Sequence, residues 1–327
     1  MKNDSIKANV EHLIKQCIEE NKKNVLVLFD KSTEDIVNFF IDSLETHGKR
    51  ADTFLIKDAE RHGINPPANV EEKMLAHDIV MCLTKYSLAH TKARLKAEKA
   101  GVPFLSMPGY DINMLENRAF LVDYHRIYPS VKKFTEKLTQ HNNIYIETKL
   151  GTKLWIDTSG RSGNCCPGYV NSCLMLGSPP DIESNIAPVE RNTNGVIVVD
   201  GSITDPRIGM LHTPVTLKIS DGNVTDIFCN DRVIETTLKE IFSEVNDDKA
   251  YVIGELGVGF NELAELCGNM LIYEGTKGCI HFGIGSNWTI GGENNVPFHL
   301  DFVLKNATVI ADGAELIKEG AIIDGHA

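Results

Sequence analysis

The run NVLVLFD (24–30) constrains the fold most. Its apolar residues are continuous rather than alternating, as in a strand covered on both faces. Before it, SIKANVEHLIKQCIEE carries apolar residues at helical spacing. After it, STEDIVNFFIDSLETHG opens on Ser, Thr and a carboxylate and ends at Gly48, as a capped helix does. ADTFLI, HDIVMCL and VPFLSM read as further strands, and AHTKARLKAEKAG as a helix stopped by Gly101. Strands and helices that alternate in this way imply an α/β domain, Rossmann-like, with a parallel sheet between helices, over residues 1–140. No Gly-x-Gly-x-x-Gly follows the first strand, so nucleotide binding is not supported.

The texture changes at 139–143. NNIYIETKLGTKLWIDTSG reads as a hairpin turning near Gly151. NGVIVVDGSI, PVTLKISDGNVTDIF and NATVIADGAELIKEGAII are short strands punctuated by Asn-Gly or Asp-Gly. ETTLKEIFSEV is a helix among them, and GFNELAELCGNML is expected to be another. The expected second domain, residues 141–327, is therefore a β-rich α+β domain. A chain of 327 residues is comfortable as two domains, each able to bury its own core.

The formal net charge of −12 repels phosphate backbones and argues against nucleic acid as a partner. The N-terminus lacks an apolar signal-peptide core, and no run approaches the roughly 18 apolar residues of a membrane span. A cytoplasmic protein without membrane association is expected. The eight cysteines are scattered, and NCCPGYVNSC (Cys165, Cys166, Cys173) has no zinc-ribbon spacing.

The chemistry concentrates near the C-terminus. In NNVPFHLDFVLKN, His299 and Asp301 stand two apart in a strand-like run, so they share one face, while Phe298, Leu300, Phe302 and Leu304 make the other face apolar. GTKGCIHFGIGSNWTIGG sets His281 among glycines, which let backbone approach a bound group closely. YVIGELGVGFN places Glu255 in an apolar, glycine-flanked segment, where an unpaired carboxylate is costly. SPPDIESNIAPVE offers Glu183 and Glu190 in a proline-bounded loop. Two imidazoles with two or three carboxylates suit Zn²⁺, Mn²⁺, Co²⁺ or Fe²⁺. Asp157 is a candidate partner of that site. His125 and Arg161 are candidates to reach a substrate carboxylate, and His90 is placed at a helix N-terminus.

These segments resemble the aminopeptidase T family of metal-dependent aminopeptidases, chiefly its shorter bacterial and archaeal members. SLAHTKARLKAEKAGVPFLSMPGYDINML, ESNIAPVERNTNGVIVVDGSI, GELGVGFN, GCIHFGIGSN and HLD follow the family's order. The resemblance implies metal ligands at Glu183, Glu255, His281, His299 and Asp301, with Glu274 a looser sixth. It implies one or two Zn²⁺, Co²⁺ or Mn²⁺ ions per chain, Glu255 or Glu183 as general base or bridge, a small peptide or other small molecule as substrate, and a homodimer. The expected activity is that of a hydrolase removing N-terminal residues by metal-activated water. One position departs: the larger members carry Tyr seven residues after the first His, where this chain has Trp288, which coordinates nothing.

The alternative resemblance, more distant, is to 2,5-dihydroxypyridine 5,6-dioxygenase. That enzyme binds one Fe²⁺ through two His and one Asp, and its His-Leu-Asp element is similar to His299-Leu300-Asp301. Its other His stands where this chain has Glu255, and it has no counterpart of His281. At both positions the aminopeptidase pattern is the one followed, so the sequence favours the hydrolase.

Overall fold

The computed structural model describes residues 2–265 and 269–323. They form two compact units, one of residues 2–127, 166–182 and 262–264, the other of residues 128–165, 183–261, 265 and 269–323.

In the first unit a parallel sheet runs in the order Arg50–Leu55, Asn24–Phe29, Ile79–Thr84, Phe104–Pro108, Leu176–Gly177. Val25, Leu26, Val27 and Leu28 are all buried, which is why NVLVLFD shows no alternation. Fully burying each such side chain contributes about 1.5–3 kcal/mol. The helix Lys2–Cys17 buries Ile6, Val10, Leu13, Ile14 and Cys17, the stripe its spacing announced. The helix Lys92–Lys99 starts where the Thr91 hydroxyl accepts the Arg94 N–H. It stops before Gly101, whose φ of +79° suits glycine. His90 immediately precedes that cap. The two-residue strand Leu176–Gly177 comes from far along the chain and carries no sequence signal.

The second unit holds two antiparallel sheets. The eight-stranded one contains the expected hairpin, with Asn143–Glu147 paired to Lys153–Asp157 and Gly151 at φ +111° in the turn. In the seven-stranded sheet, His299–Leu304, Ile280–Gly285, Ile253–Gly259 and Glu183–Ile186 lie side by side. Glu183 thus opens a strand and does not lie in a loop. The helix Arg232–Val245 is capped by Asp231, whose carboxylate accepts the Val233 and Ile234 N–H groups. Its Phe242 stacks on Phe302, with centroids 6.4 Å apart. That contact covers the apolar face of the His299 strand and leaves the opposite face for His299 and Asp301. The helix expected over GFNELAELCGNML is not formed at Asn261–Glu265; residues 266–268 lie outside the described residues, and a helix begins at Met270. The Asn261 amide N–H and carbonyl instead bond Gly275 and Lys277, which ties this stretch to the turn after that helix.

Mixed α/β architecture, a parallel sheet with helices followed by antiparallel β-rich sheets, is therefore the fold class. Among the described residues no helix is long and apolar enough to cross a membrane, and no disulfide joins the cysteines.

Candidate metal centre

The four neighbouring strands put Glu183, Glu255, His281, His299 and Asp301 on one face. Glu183 pairs with Gly259, and Gly257 stands between Asn185 and His281. Gly283 stands between Glu255 and Asp301, and Gly285 pairs with His299. Glycines and functional side chains thus alternate across the strands. The vacated positions are used: a Cβ on Gly283 would lie 2.5 Å from His299 Cε1 and 2.9 Å from Glu255 Cβ, and one on Gly257 would fall on the His281 ring. The glycines are required here so that imidazoles can lie flat across adjacent strands.

Two overlapping clusters result. Glu255, His299 and Asp301 bring one donor atom each within 4.8 Å of one another, and so do Glu183, Glu255 and His281. His299 Nε2 lies 3.1 Å from Asp301 Oδ1 and 3.2 Å from Glu255 Oε2. His281 Nε2 lies 3.1 Å from Glu183 Oε2 and 3.9 Å from Glu255 Oε1. Glu255 joins the two clusters. Glu274, buried on the helix Met270–Gly275, belongs to neither.

The electrostatics follow from burial and pairing. Burial pushes the Glu255 carboxyl up, but hydrogen bonds from His281 and His299 outweigh it and hold it well below the carboxylate range. Asp301 is lowered by the His299 charge against the same burial. Burial lowers both imidazoles. The Glu183 carboxylate beside His281, and the Asp301 carboxylate beside His299, outweigh it and raise both well above the usual imidazole value. Without a metal the face therefore holds imidazolium–carboxylate pairs.

Three supports went unread in the sequence. The Asn185 amide donates to Glu183 Oε1 at 2.7 Å. The Thr204 hydroxyl accepts the Asp301 backbone N–H at 3.0 Å. The Ser286 carbonyl lies 2.9 Å from His299 Nδ1. A carbonyl only accepts, so Nδ1 carries a proton and Nε2 faces the carboxylates. The i, i+2 rule that joined His299 to Asp301 would also have joined Asn185 to Glu183. Thr204 had no local signal.

Other candidates are engaged elsewhere. Asp157 accepts the Ser159 N–H and the Asn192 amide. Arg161 pairs with Glu190 and donates to the Gly291 carbonyl. His125 bonds the Gln16 carbonyl and packs on Tyr169. Trp288 opens a short 3-10 turn, Trp288–Ile290.

The donor set fits a divalent ion on the structure's own terms. Glu183 Oε2 and His281 Nε2 are 3.1 Å apart, yet Glu183 Oε2 has no hydrogen-bond partner among the described residues, nor has His281 Nδ1. Buried donor atoms that crowd together, with some left unpaired, are arranged as around a shared centre. Three carboxylates and two imidazoles supply hard oxygen and nitrogen ligands for a first-row dication.

Comparison with known proteins identifies the family. The family model for NicX, 2,5-dihydroxypyridine 5,6-dioxygenase, matches residues 11–324. A curated relative, 2,5-dihydroxypyridine 5,6-dioxygenase of Pseudomonas putida, is 25% identical over 146 residues, 42% of this chain and 41% of that protein. The match thus spans about two fifths of the relative's length. The solved structure of 2,5-dihydroxypyridine dioxygenase from Pseudomonas putida KT2440 is similar with a TM-score of 0.81 at 18% identity, over 99% of this chain and 98% of that one. Wild-type AmpT from Thermus thermophilus is similar with a TM-score of 0.66 at 13% identity, over 99% and 100% of the two chains; at that identity it shares the fold alone.

The expected aminopeptidase, a hydrolase and protease, is thereby corrected: the chain-long match is to an oxygenase family. The reason is physical. Glu255 and His281 report which atoms can hold a metal, and one ligand set on one fold serves unrelated reactions. The chain belongs to the NicX family of 2,5-dihydroxypyridine 5,6-dioxygenases.

Proposed function

We propose that this protein is a metal-dependent ring-cleaving dioxygenase that opens a dihydroxypyridine-like ring with molecular oxygen. Fe²⁺ would be held by Glu255, His299 and Asp301. The observation that carries this reading is the meeting of those three donor groups on the glycine-vacated face in a chain of this family. When bound, the ion supplies Lewis acidity toward a substrate hydroxyl and the redox capacity to engage oxygen.

The chain's own residues do the rest. The Ser286 carbonyl fixes the His299 tautomer and Thr204 anchors the Asp301 backbone. The His299 side chain is 18% exposed, against 8% for Glu255 and 9% for Asp301, so access is from the His299 side. Burial of the carboxylates keeps water from competing for the ion. Glu183 lies outside the three ligands, and its pair with His281 Nε2, at 3.1 Å, is the acid–base group available for a substrate hydroxyl proton.

The test is anaerobic reconstitution with Fe²⁺, followed by oxygen-electrode and ultraviolet assays with 2,5-dihydroxypyridine. One O₂ consumed per ring lost, abolished by chelation, is expected. Protein that binds stoichiometric iron yet consumes no oxygen with any dihydroxypyridine overturns the proposal.

A further inference from the structure

We infer that Glu190 and Arg161 are positioning residues for the metal centre: their ion pair clamps residues 286–294, and that segment holds the His299 imidazole through the Ser286 carbonyl. This rests on the metal-dependent reading above.

The clamp is built from half-buried groups. Arg161 Nη2 lies 2.5 Å from Glu190 Oε2, with side chains 12% and 17% exposed. Arg161 Nη1 donates to the Gly291 carbonyl at 2.6 Å. The other Glu190 oxygen accepts the Asn287 amide at 3.0 Å and the Glu293 backbone N–H at 2.6 Å. Burial would raise the Glu190 carboxyl, but the Glu293 N–H, the Asn287 amide and the Arg161 charge hold it below its usual range. The pair therefore grips the segment near its start, its middle and its end.

The segment is also closed on itself. Asn287 Oδ1 accepts the Asn294 N–H at 2.8 Å, and the Asn294 carbonyl accepts the Asn287 N–H at 2.9 Å. The Asn294 amide donates to the carbonyls of Gly285, at 2.7 Å, and Lys249, at 2.8 Å. Asn164 adds a strut from the metal face, donating to the Ile290 carbonyl at 3.0 Å and to Asn185 Oδ1 at 2.9 Å. Asn185 in turn holds Glu183.

The output is at Ser286. Its N–H donates to the Phe298 carbonyl at 2.8 Å, and its own carbonyl receives His299 Nδ1–H at 2.9 Å. A free imidazole has two neutral tautomers and a rotatable ring. Held at Nδ1, it offers only Nε2 to an ion. Loosening the clamp frees Ser286, and with it the ring, though neither Glu190 nor Arg161 touches the ion. Removing such an outer partner of a metal ligand costs roughly 10–100-fold in affinity.

The experiment uses full-length protein and Co²⁺ alone, read by its visible d–d absorption and by titration. In Glu190→Ala, Co²⁺ affinity is expected to fall by roughly 10–100-fold with a changed d–d spectrum. Glu190→Gln, which keeps an oxygen for Asn287 and Glu293 but loses the charge that pairs Arg161, is expected to restore part of both. A folded Glu190→Ala protein with wild-type affinity and spectrum overturns the inference. So does an equal loss in Leu217→Ala, a core variant of the eight-stranded sheet, because the effect is then one of stability alone. If Glu190→Ala does not fold, Arg161→Gln carries the same expectation and the same refutation. Wild-type protein that binds no Co²⁺ overturns the metal reading itself, which separates that failure from failure of the clamp.

Discussion

The imidazole of His281 lies across Gly257 on the neighbouring strand, in the space that any Cβ at that position would occupy. Gly283 stands in the same relation to His299, at 2.5 Å from the built Cβ to Cε1. The two glycines make separable tests. Gly283→Ala displaces His299 and crowds Glu255, so it should abolish tight metal binding. Gly257→Ala meets the His281 ring first and should leave the ion at Glu255, His299 and Asp301 in place. Each should cost about 1–3 kcal/mol of stability as an overpacked site. Metal content after desalting checks both; the reverse order would place the ion at Glu183, Glu255 and His281 instead.

Thr204 binds Asp301 twice through its backbone, with its hydroxyl accepting the Asp301 N–H at 3.0 Å and its N–H donating to the Asp301 carbonyl at 3.1 Å. Thr204→Val keeps the second bond and removes the first, together with the 3.5 Å bond that the hydroxyl donates to Asp301 Oδ2. It leaves a buried N–H unpaired, at about 1–3 kcal/mol. Metal affinity should fall by roughly tenfold, because the carboxylate loses its backbone anchor. Chemical denaturation and Co²⁺ titration read the two effects; an unchanged affinity would show that the strand alone fixes Asp301.

Much of this was legible because the signals are local. Continuous apolar residues in NVLVLFD announce a two-sided strand, and the i, i+2 spacing of His299 and Asp301 announces a shared face; Nε2 and Oδ1 are indeed 3.1 Å apart. The strand that carries Glu183 was hidden by the flanking prolines, which suggested a loop where it forms beside Gly259. The strand Leu176–Gly177 was illegible because two residues carry no period and its partner is about seventy positions away. The ring-cleaving reaction was ranked second, as the alternative, for a different reason. Donor types at Glu255 and His281 fix what can be bound, whereas the substrate and its chemistry depend on surfaces that no short motif encodes.

The paired histidines give the metal-free protein a pH dependence of definite sign. His281 and His299 are raised well above the usual value, so their contribution is full below about pH 6.5 and is lost as pH rises through the raised values. Glu255 and Asp301 are lowered, so theirs is full above about pH 4 and is lost as pH falls through the depressed values. Metal-free protein should therefore be most stable between these limits. An ion needs neutral imidazoles, so Co²⁺ must displace protons and should bind more tightly at pH 8 than at pH 6. Calorimetry in buffers of different ionisation enthalpy measures the released protons. A pH-independent affinity with no proton release would mean that the imidazoles are already neutral.

Glu255 is the residue both clusters share, and it is 6% exposed. Glu255→Gln changes one atom type and keeps the shape, so the fold should survive. The charge does not: His299 Nε2, 3.2 Å from Glu255 Oε2, loses one of its two carboxylate neighbours. An ion at Glu255, His299 and Asp301 then meets one carboxylate, one imidazole and a neutral amide. Its affinity should fall at least as far as for removal of an outer partner, by more than roughly 100-fold, and oxygen uptake with 2,5-dihydroxypyridine should fall with it. Restoring occupancy with excess Fe²⁺ separates two roles. Recovered uptake at saturating iron would make Glu255 a ligand only. Uptake that stays low at full occupancy would mean that the carboxylate also acts on the reaction, and normal uptake at ordinary iron would exclude Glu255 from the centre.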